Sequence, residues 1–153
     1  MTMTDYLNHI VEKLPFAEPF LFVDGLTHLD EDRVRGFFRF RPDLDFYRGH
    51  FRDRPVTPGV LLTECCAQIG LVCLGIHLLG RQHQEREGGY VVALAESSME
   101  FLHPVYPGER VEVTGEKVFF RFGKLKVKVS LTRADGQMAC RGELAGMLKP
   151  EEP

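Results

Sequence analysis

Polar and apolar positions change period several times along the chain, and each change predicts an element. Tyr6, Leu7, Ile10, Val11 and Leu14 recur at helical spacing, with Thr4 as the predicted cap of a short first helix. Pro15 and Pro19 stop it. Phe20 to Thr27 is rich in β-favouring residues and reads as a strand, followed by the turn Asp30-Glu31-Asp32. From Arg33 to Arg41 the faces alternate strictly: Arg33, Arg35, Arg39 and Arg41 on one, Val34, Phe38 and Phe40 on the other. An irregular loop carrying Arg48, His50, Arg52 and Arg54 follows Pro42. Gly59 to about Gly80 is then apolar on nearly every side, with Pro58 at a position that a helix start tolerates. Arg81 to Gly89 is polar and reads as a loop. Four more strands are predicted: Tyr90 to Phe101, Arg110 to Phe119, Lys124 to Thr132 and Met138 to Leu148. Arg121-Phe122-Gly123 and Ala134-Asp135-Gly136 are hairpin turns by composition, and the tail Pro150-Glu151-Glu152-Pro153 reads as loose.

This order implies an α+β fold in one domain over residues 1–153: one long helix covered by a curled antiparallel sheet. A helix apolar all round must be buried all round. About six strands cover one side of it, so a second copy of the chain is expected on the other.

Composition narrows the class. With 44% hydrophobic and 27% charged residues the chain is globular, and a net charge of −3 gives no reason to expect nucleic acid. Cys65, Cys66, Cys73 and Cys140 form no C-x-x-C pair and read as buried free thiols. His9, His28, His77, His83 and His103 show no metal-ligand spacing, so no metal site is expected. The N-terminus lacks a basic start followed by an apolar run, and the longest apolar run, Ile69 to Leu79, is too short to span a bilayer. A cytoplasmic protein without membrane association is the expectation.

The unusual chemistry lies between Tyr47 and Gln68, YRGHFRDRPVTPGVLLTECCAQ. A carboxylate, Glu64, stands inside the apolar helix, where it is costly unless it has a partner or a task. Gln68 lies one turn further on the same face. His50 precedes both, in a loop with two prolines and a glycine.

Gly49-His50-Phe51, Pro55-Val56, Pro58-Gly59-Val60-Leu61, Glu64 and Ala67-Gln68 together resemble the central motif of the FabZ-type β-hydroxyacyl-acyl-carrier-protein dehydratases. Leu14-Pro15, Pro19 to Asp24 and Phe101 to Glu109 extend the resemblance over roughly residues 10 to 148. It implies the hot-dog fold and a homodimer, alone or as a trimer of dimers. The sites would lie at the dimer interface, with His50 from one chain and Glu64 from the other. Phe51, Pro58, Gly59, Val60 and Gln68 would line the substrate. The chain departs from the pattern at Phe16-Ala17-Glu18, which lacks the usual basic residue. It also departs at Tyr90-Val91-Val92, where a tyrosine often gates the acyl tunnel, and at Ala95-Glu96-Ser97-Ser98, which lacks a glycine. These departures suggest an unusual acyl group, as in polyene or polyketide assembly.

Dehydration of a β-hydroxyacyl thioester needs a base for C2, an acid for the leaving C3 hydroxyl and donors for the thioester oxygen. Histidine can work in both directions near neutral pH. A carboxyl buried in an apolar helix has a raised pKa. Amides at the helix start near Gly59 and Val60 are aimed donors. His50 and Glu64 are therefore the expected catalytic pair, with Gln68 orienting Glu64. No cofactor is expected. The acyl group would arrive on phosphopantetheine, from acyl carrier protein or CoA. Arg48, Arg52 and Arg54, with the arginine face of the second strand, would steer an acidic carrier. Two other readings compete. One is a hot-dog thioesterase, in which the helix carboxylate directs water at the thioester. The other is a non-catalytic partner subunit.

Overall fold

The computed structural model describes residues 1–83 and 89–151. Helix α1 (Met3–Glu12) is capped by Thr2 rather than Thr4. The Asp5 amide donates to the Thr2 hydroxyl (3.0 Å) and the Asp5 carboxylate accepts from the Thr2 amide (3.1 Å). Thr4 has leucine three residues on and cannot close such a box. Leu7, Ile10 and Leu14 face the core.

The strand expected over Phe20 to Thr27 is shorter and later: β1 is Gly25–Leu29. The cause is a change of hydrogen-bond partner. The backbone of Phe20 and Phe22 pairs with side chains of the central helix instead of a neighbouring strand. Strand β2 is Arg33–Arg39. A 3-10 turn, Asp45–Arg48, leads into the histidine loop. The central helix then runs continuously as α2 (Gly59–Cys66), a π-helical stretch (Ala67–Cys73) and α3 (Leu74–His83). It therefore reaches three residues into the stretch read as a loop; residues 84–88 of that loop lie outside the described residues, as do residues 152–153 of the tail. Pro150 closes the last strand and the Glu151 amide donates to the Gly89 carbonyl (2.9 Å), so that part of the tail is tied down.

Strands β3 (Tyr90–Phe101), β4 (Arg110–Arg121), β5 (Lys124–Arg133) and β6 (Met138–Pro150) complete one six-stranded antiparallel sheet, in the order β1-β2-β4-β5-β6-β3. Leu125, Val127, Val129 and Leu131 point at the helix, while Lys124, Lys126 and Lys128 line the other face. The helix lies close on β4 and β5 because glycines meet there: a Cβ on Gly115 would stand 2.7 Å from the Gly70 Cα. This is the hot-dog arrangement.

Two expectations change here. From Cys65 to Leu79 every helix residue is buried within the single chain, because the sheet curls and the N-terminal segment covers the rest. The open parts are the first turns of the helix, where Val60 is 76% exposed, and the edge strand β3, with Val91, Leu94 and Phe101 exposed. Second, Gly59–Gln82 is by length and composition long enough to cross a membrane, longer than the run Ile69 to Leu79 suggested. Of its most apolar 18-residue window 72% is buried within the fold, as a core helix requires.

Two features carry stability predictions. Phe122 is 98% exposed and holds φ of +52° in the tight β4–β5 turn beside Gly123 at +76°. Both signs fit a type I′ turn, which favours Asn-Gly. Phe122→Asn should stabilise the fold by about 0.5–1 kcal/mol, because a bulky residue strains the left-handed region; denaturant unfolding measures it.

His77, buried on α3, meets the Tyr6 hydroxyl through Nδ1 (2.6 Å), and its Nε2 has no hydrogen-bond partner among the described residues. Burial lowers its pKa, helped by Arg81, against a smaller opposing effect of Glu31 and Asp30. With the folded value below the unfolded one, the unfolded chain holds more protons between the two. Stability present above pH of about 6.5 is therefore lost as pH falls through the lowered value. His77→Gln should flatten this slope in unfolding free energies compared at neutral and mildly acidic pH.

Candidate active site

The histidine loop is built on short hydrogen bonds. The His50 amide donates to the Phe46 carbonyl (3.0 Å), and the Val56 amide donates to the His50 carbonyl (2.9 Å). The His50 ring stacks on Phe51 (centroids 4.1 Å, 26°), and the His50–Phe51 peptide is cis. Nδ1 lies 2.9 Å from the Val56 carbonyl oxygen. A carbonyl can only accept, so Nδ1 carries the proton and the neutral ring keeps its lone pair on Nε2.

Glu64 sits half-buried one turn into the helix, and Gln68 is fully buried four residues on. The Gln68 Oε1 accepts from the Phe22 amide (2.8 Å), while Nε2 donates to the Phe20 carbonyl (2.9 Å) and to Glu64 Oε1 (3.1 Å). The Phe22 amide can only donate and the Phe20 carbonyl only accept, so the orientation of the Gln68 amide is determined. Burial pushes the Glu64 carboxyl up, and the Gln68 hydrogen bond offsets part of that rise. Within one chain the polar partners of His50 lie in its own loop and that of Glu64 is Gln68; the two do not hydrogen-bond to each other.

Comparison with known proteins adds an independent line. The FabA-like domain family matches residues 14–145. A 3-hydroxyacyl-[acyl-carrier-protein] dehydratase FabZ from Bacillus licheniformis is 33% identical over 136 residues, covering 88% of this chain and 90% of that protein. The Thermus thermophilus protein of the same name is 34% identical over 123 residues, covering 80% and 83%. This chain belongs to the FabZ-type dehydratase family. Two solved structures share the fold at low identity. The dehydratase heterocomplex ApeI:P from Xenorhabdus doucetiae has a TM-score of 0.75 at 13% identity, covering 91% of this chain and 90% of its own. A hypothetical thioesterase with coenzyme A from Streptococcus pneumoniae has a TM-score of 0.61 at 15% identity, covering 84% and 87%.

The remaining FabZ-type motif residues fall around the helix start. Pro58 is the N-cap residue and offers no side-chain cap; its carbonyl accepts from the amides of Leu61 (2.9 Å) and Leu62 (3.1 Å). Among the described residues no acceptor is recorded for the amides of Gly59 and Val60, as expected of a first helical turn. A Cβ on Gly59 would lie 3.1 Å from the Phe101 ring, so this glycine is needed first for the chain's own packing.

The expected arginine patch is reduced. Arg33 pairs with Glu116 (3.7 Å), Arg35 with Glu112 (3.4 Å), and Arg41 with Glu18 and Asp43 (3.5 Å each). Arg33 and Arg35 are thus paired by carboxylates of β4 and Arg41 by carboxylates of the flanking loops, while Arg39 donates to the Gly108 carbonyl (3.2 Å). Arg48 pairs with Asp45 (3.4 Å). Arg52 and Arg54 are exposed, and among the described residues no carboxylate pairs with them. Tyr90 is buried, with the Lys13 ammonium 5.9 Å above its ring. Cys65 is buried and its thiol is pushed up by burial, which removes it as a nucleophile. A groove of about 830 Å³ lies on the outer sheet face among Glu100, Glu116, Lys128 and Arg141, and none of the motif residues lines it.

The sequence pointed to Gln68 as a partner of Glu64 through their four-residue spacing. It carried no sign of Phe20 and Phe22, whose contribution is backbone and has no side-chain signature. Gln68→Leu would orphan the Phe22 amide and the Phe20 carbonyl. It should cost about 1–3 kcal/mol of unfolding free energy by denaturant titration, the penalty for one buried unpaired group, since the Phe20 carbonyl is only partly buried and can meet water.

Proposed function

We infer that this protein dehydrates β-hydroxyacyl thioesters to trans-2-enoyl thioesters, with the acyl group carried on the phosphopantetheine of an acyl carrier protein. The observation that supports it most is the tie from His50 Nδ1 to the Val56 carbonyl, which leaves Nε2 as a lone-pair base. Nε2 takes a proton from C2, and the released electron pair forms the C2–C3 double bond. The C3–O bond breaks, and the protonated Glu64 carboxyl gives its proton to the departing hydroxyl as water forms. The raised Glu64 pKa favours that acid form. The proton on His50 then returns to Glu64 through solvent, so the enzyme ends unchanged. Gly59 and Val60 amides hold the thioester oxygen, Gln68 fixes Glu64, and Phe51 and Pro58 line the approach. The reaction calls for neither metal nor organic cofactor.

His50 and Glu64 do not hydrogen-bond to each other in one chain, and the helix start and β3 edge are open. A homodimer joined along β3 would cover those surfaces and let His50 of one chain face Glu64 of the other. Arg52 and Arg54 would meet the acidic carrier, and the cytoplasm is the expected compartment. Hydrolysis of the thioester does not require a C2 base, so the histidine geometry favours dehydration over the thioesterase reading.

The test is hydration of a crotonyl thioester on carrier protein, followed by mass spectrometry. The wild type should add water, and His50→Ala and Glu64→Gln should each lose about 100- to 10,000-fold, the usual share of acid–base catalysis. Free acid and carrier thiol would instead support hydrolysis.

A further inference from the structure

His50 is held by its loop, and the loop is held at its root. Val56 aims the ring: its carbonyl accepts from Nδ1 (2.9 Å) and its amide donates to the His50 carbonyl (2.9 Å). The next residue, Thr57, is fixed twice. Its amide donates to the Val105 carbonyl (2.8 Å), and its hydroxyl meets the Tyr47 hydroxyl at 2.5 Å. Tyr47 stands at the other end of the loop, in the 3-10 turn, where its amide donates to the Leu44 carbonyl (3.1 Å). A continuous path runs from Tyr47 through Thr57 and Val56 to the imidazole.

Both hydroxyls are buried, Tyr47 at 6% and Thr57 at 4% exposure, among residues of the hydrophobic core. An apolar pair would fill the same space without the desolvation cost of two hydroxyls, and such exchanges are close to neutral in stability. What the hydrogen bond adds over apolar contact is direction. The loop needs direction at its root, because Arg48, Gly49 and residues 51–55 are exposed and little packing holds them.

We propose that the Tyr47–Thr57 hydroxyl pair is a positioning clamp, which holds Val56 where its carbonyl fixes the tautomer and aim of His50. This rests on the reading of His50 as the base. Burial pushes the Tyr47 phenol up, so the clamp keeps its protons through the range in which an imidazole titrates.

The experiment compares Tyr47→Phe, Thr57→Val and the double variant with the full-length wild type. Three quantities are read: kcat and KM for crotonyl-carrier hydration, the midpoint of thermal unfolding, and the ring-nitrogen chemical shifts of His50. Each single variant should lower kcat about three- to tenfold, the worth of one directional hydrogen bond, with KM changed by less than about twofold. The ring shifts should move from the Nδ1–H form toward a mixture of tautomers. The double variant, with no orphaned hydroxyl, should regain the unfolding midpoint but neither kcat nor the ring shifts. Recovery of kcat in the double variant, or unchanged ring shifts in all three, would overturn the clamp. A wild type that does not hydrate the thioester would defeat the reading of His50 as base, while the ring shifts would still decide the clamp.

Discussion

Gln68 lies fully inside the fold with both ends of its amide engaged, and three parts of the structure depend on that. Its oxygen and nitrogen hold the backbone of Phe22 and Phe20, so these residues lie along the helix instead of pairing with a strand. The same nitrogen reaches Glu64 and fixes its carboxyl against the first turns of the helix. A buried amide is tolerable only when its hydrogen bonds are met. Here they are met by groups that have no other partner, so the segment, the glutamine and the glutamate stand or fall as a unit.

His50 and Glu64, the two halves of the candidate site, are held by different physics. Glu64 rides on a helix that is fixed by complete burial from Cys65 to Leu79 and by the close approach of Gly70 to Gly115. His50 rides on an exposed loop with few apolar contacts, and is held by short hydrogen bonds running back to Val56, Thr57 and Phe46. The first arrangement gives a carboxyl with a raised pKa, because desolvation comes with rigidity. The second leaves the imidazole reachable while its tautomer stays defined.

The outer sheet face carries charge in cross-strand pairs: Arg33 with Glu116, Arg35 with Glu112, Lys126 with Glu143. Exposed pairs of this kind contribute little stability. Their effect is to offset the charge of Arg33 and Arg35 on β2, while Arg52 and Arg54, exposed and with no carboxylate partner among the described residues, stand in the histidine loop.

The chain order alone determined most of the architecture. Alternation in β2 and β5, the apolar run from Gly59, and the turn signatures at Gly123 and Gly136 each act over a few residues, so each element was legible in its own stretch. His50, Glu64 and Gln68 were legible for a related reason: a titratable or amide side chain next to apolar helix positions stands out locally. Three things were decided only by tertiary structure. The Phe20–Phe22 backbone gave up a strand because Gln68, distant in sequence, offered better partners. Arg33 and Arg35 of the arginine stripe lost their free charge because β4 lies beside β2, a neighbour that the order of elements does not specify. The root of the histidine loop is tied by Tyr47 and Thr57, two residues that look like ordinary core and loop positions until folding brings their hydroxyls together. In each case the deciding energy is a hydrogen bond or ion pair between distant residues, and local periodicity carries no trace of it.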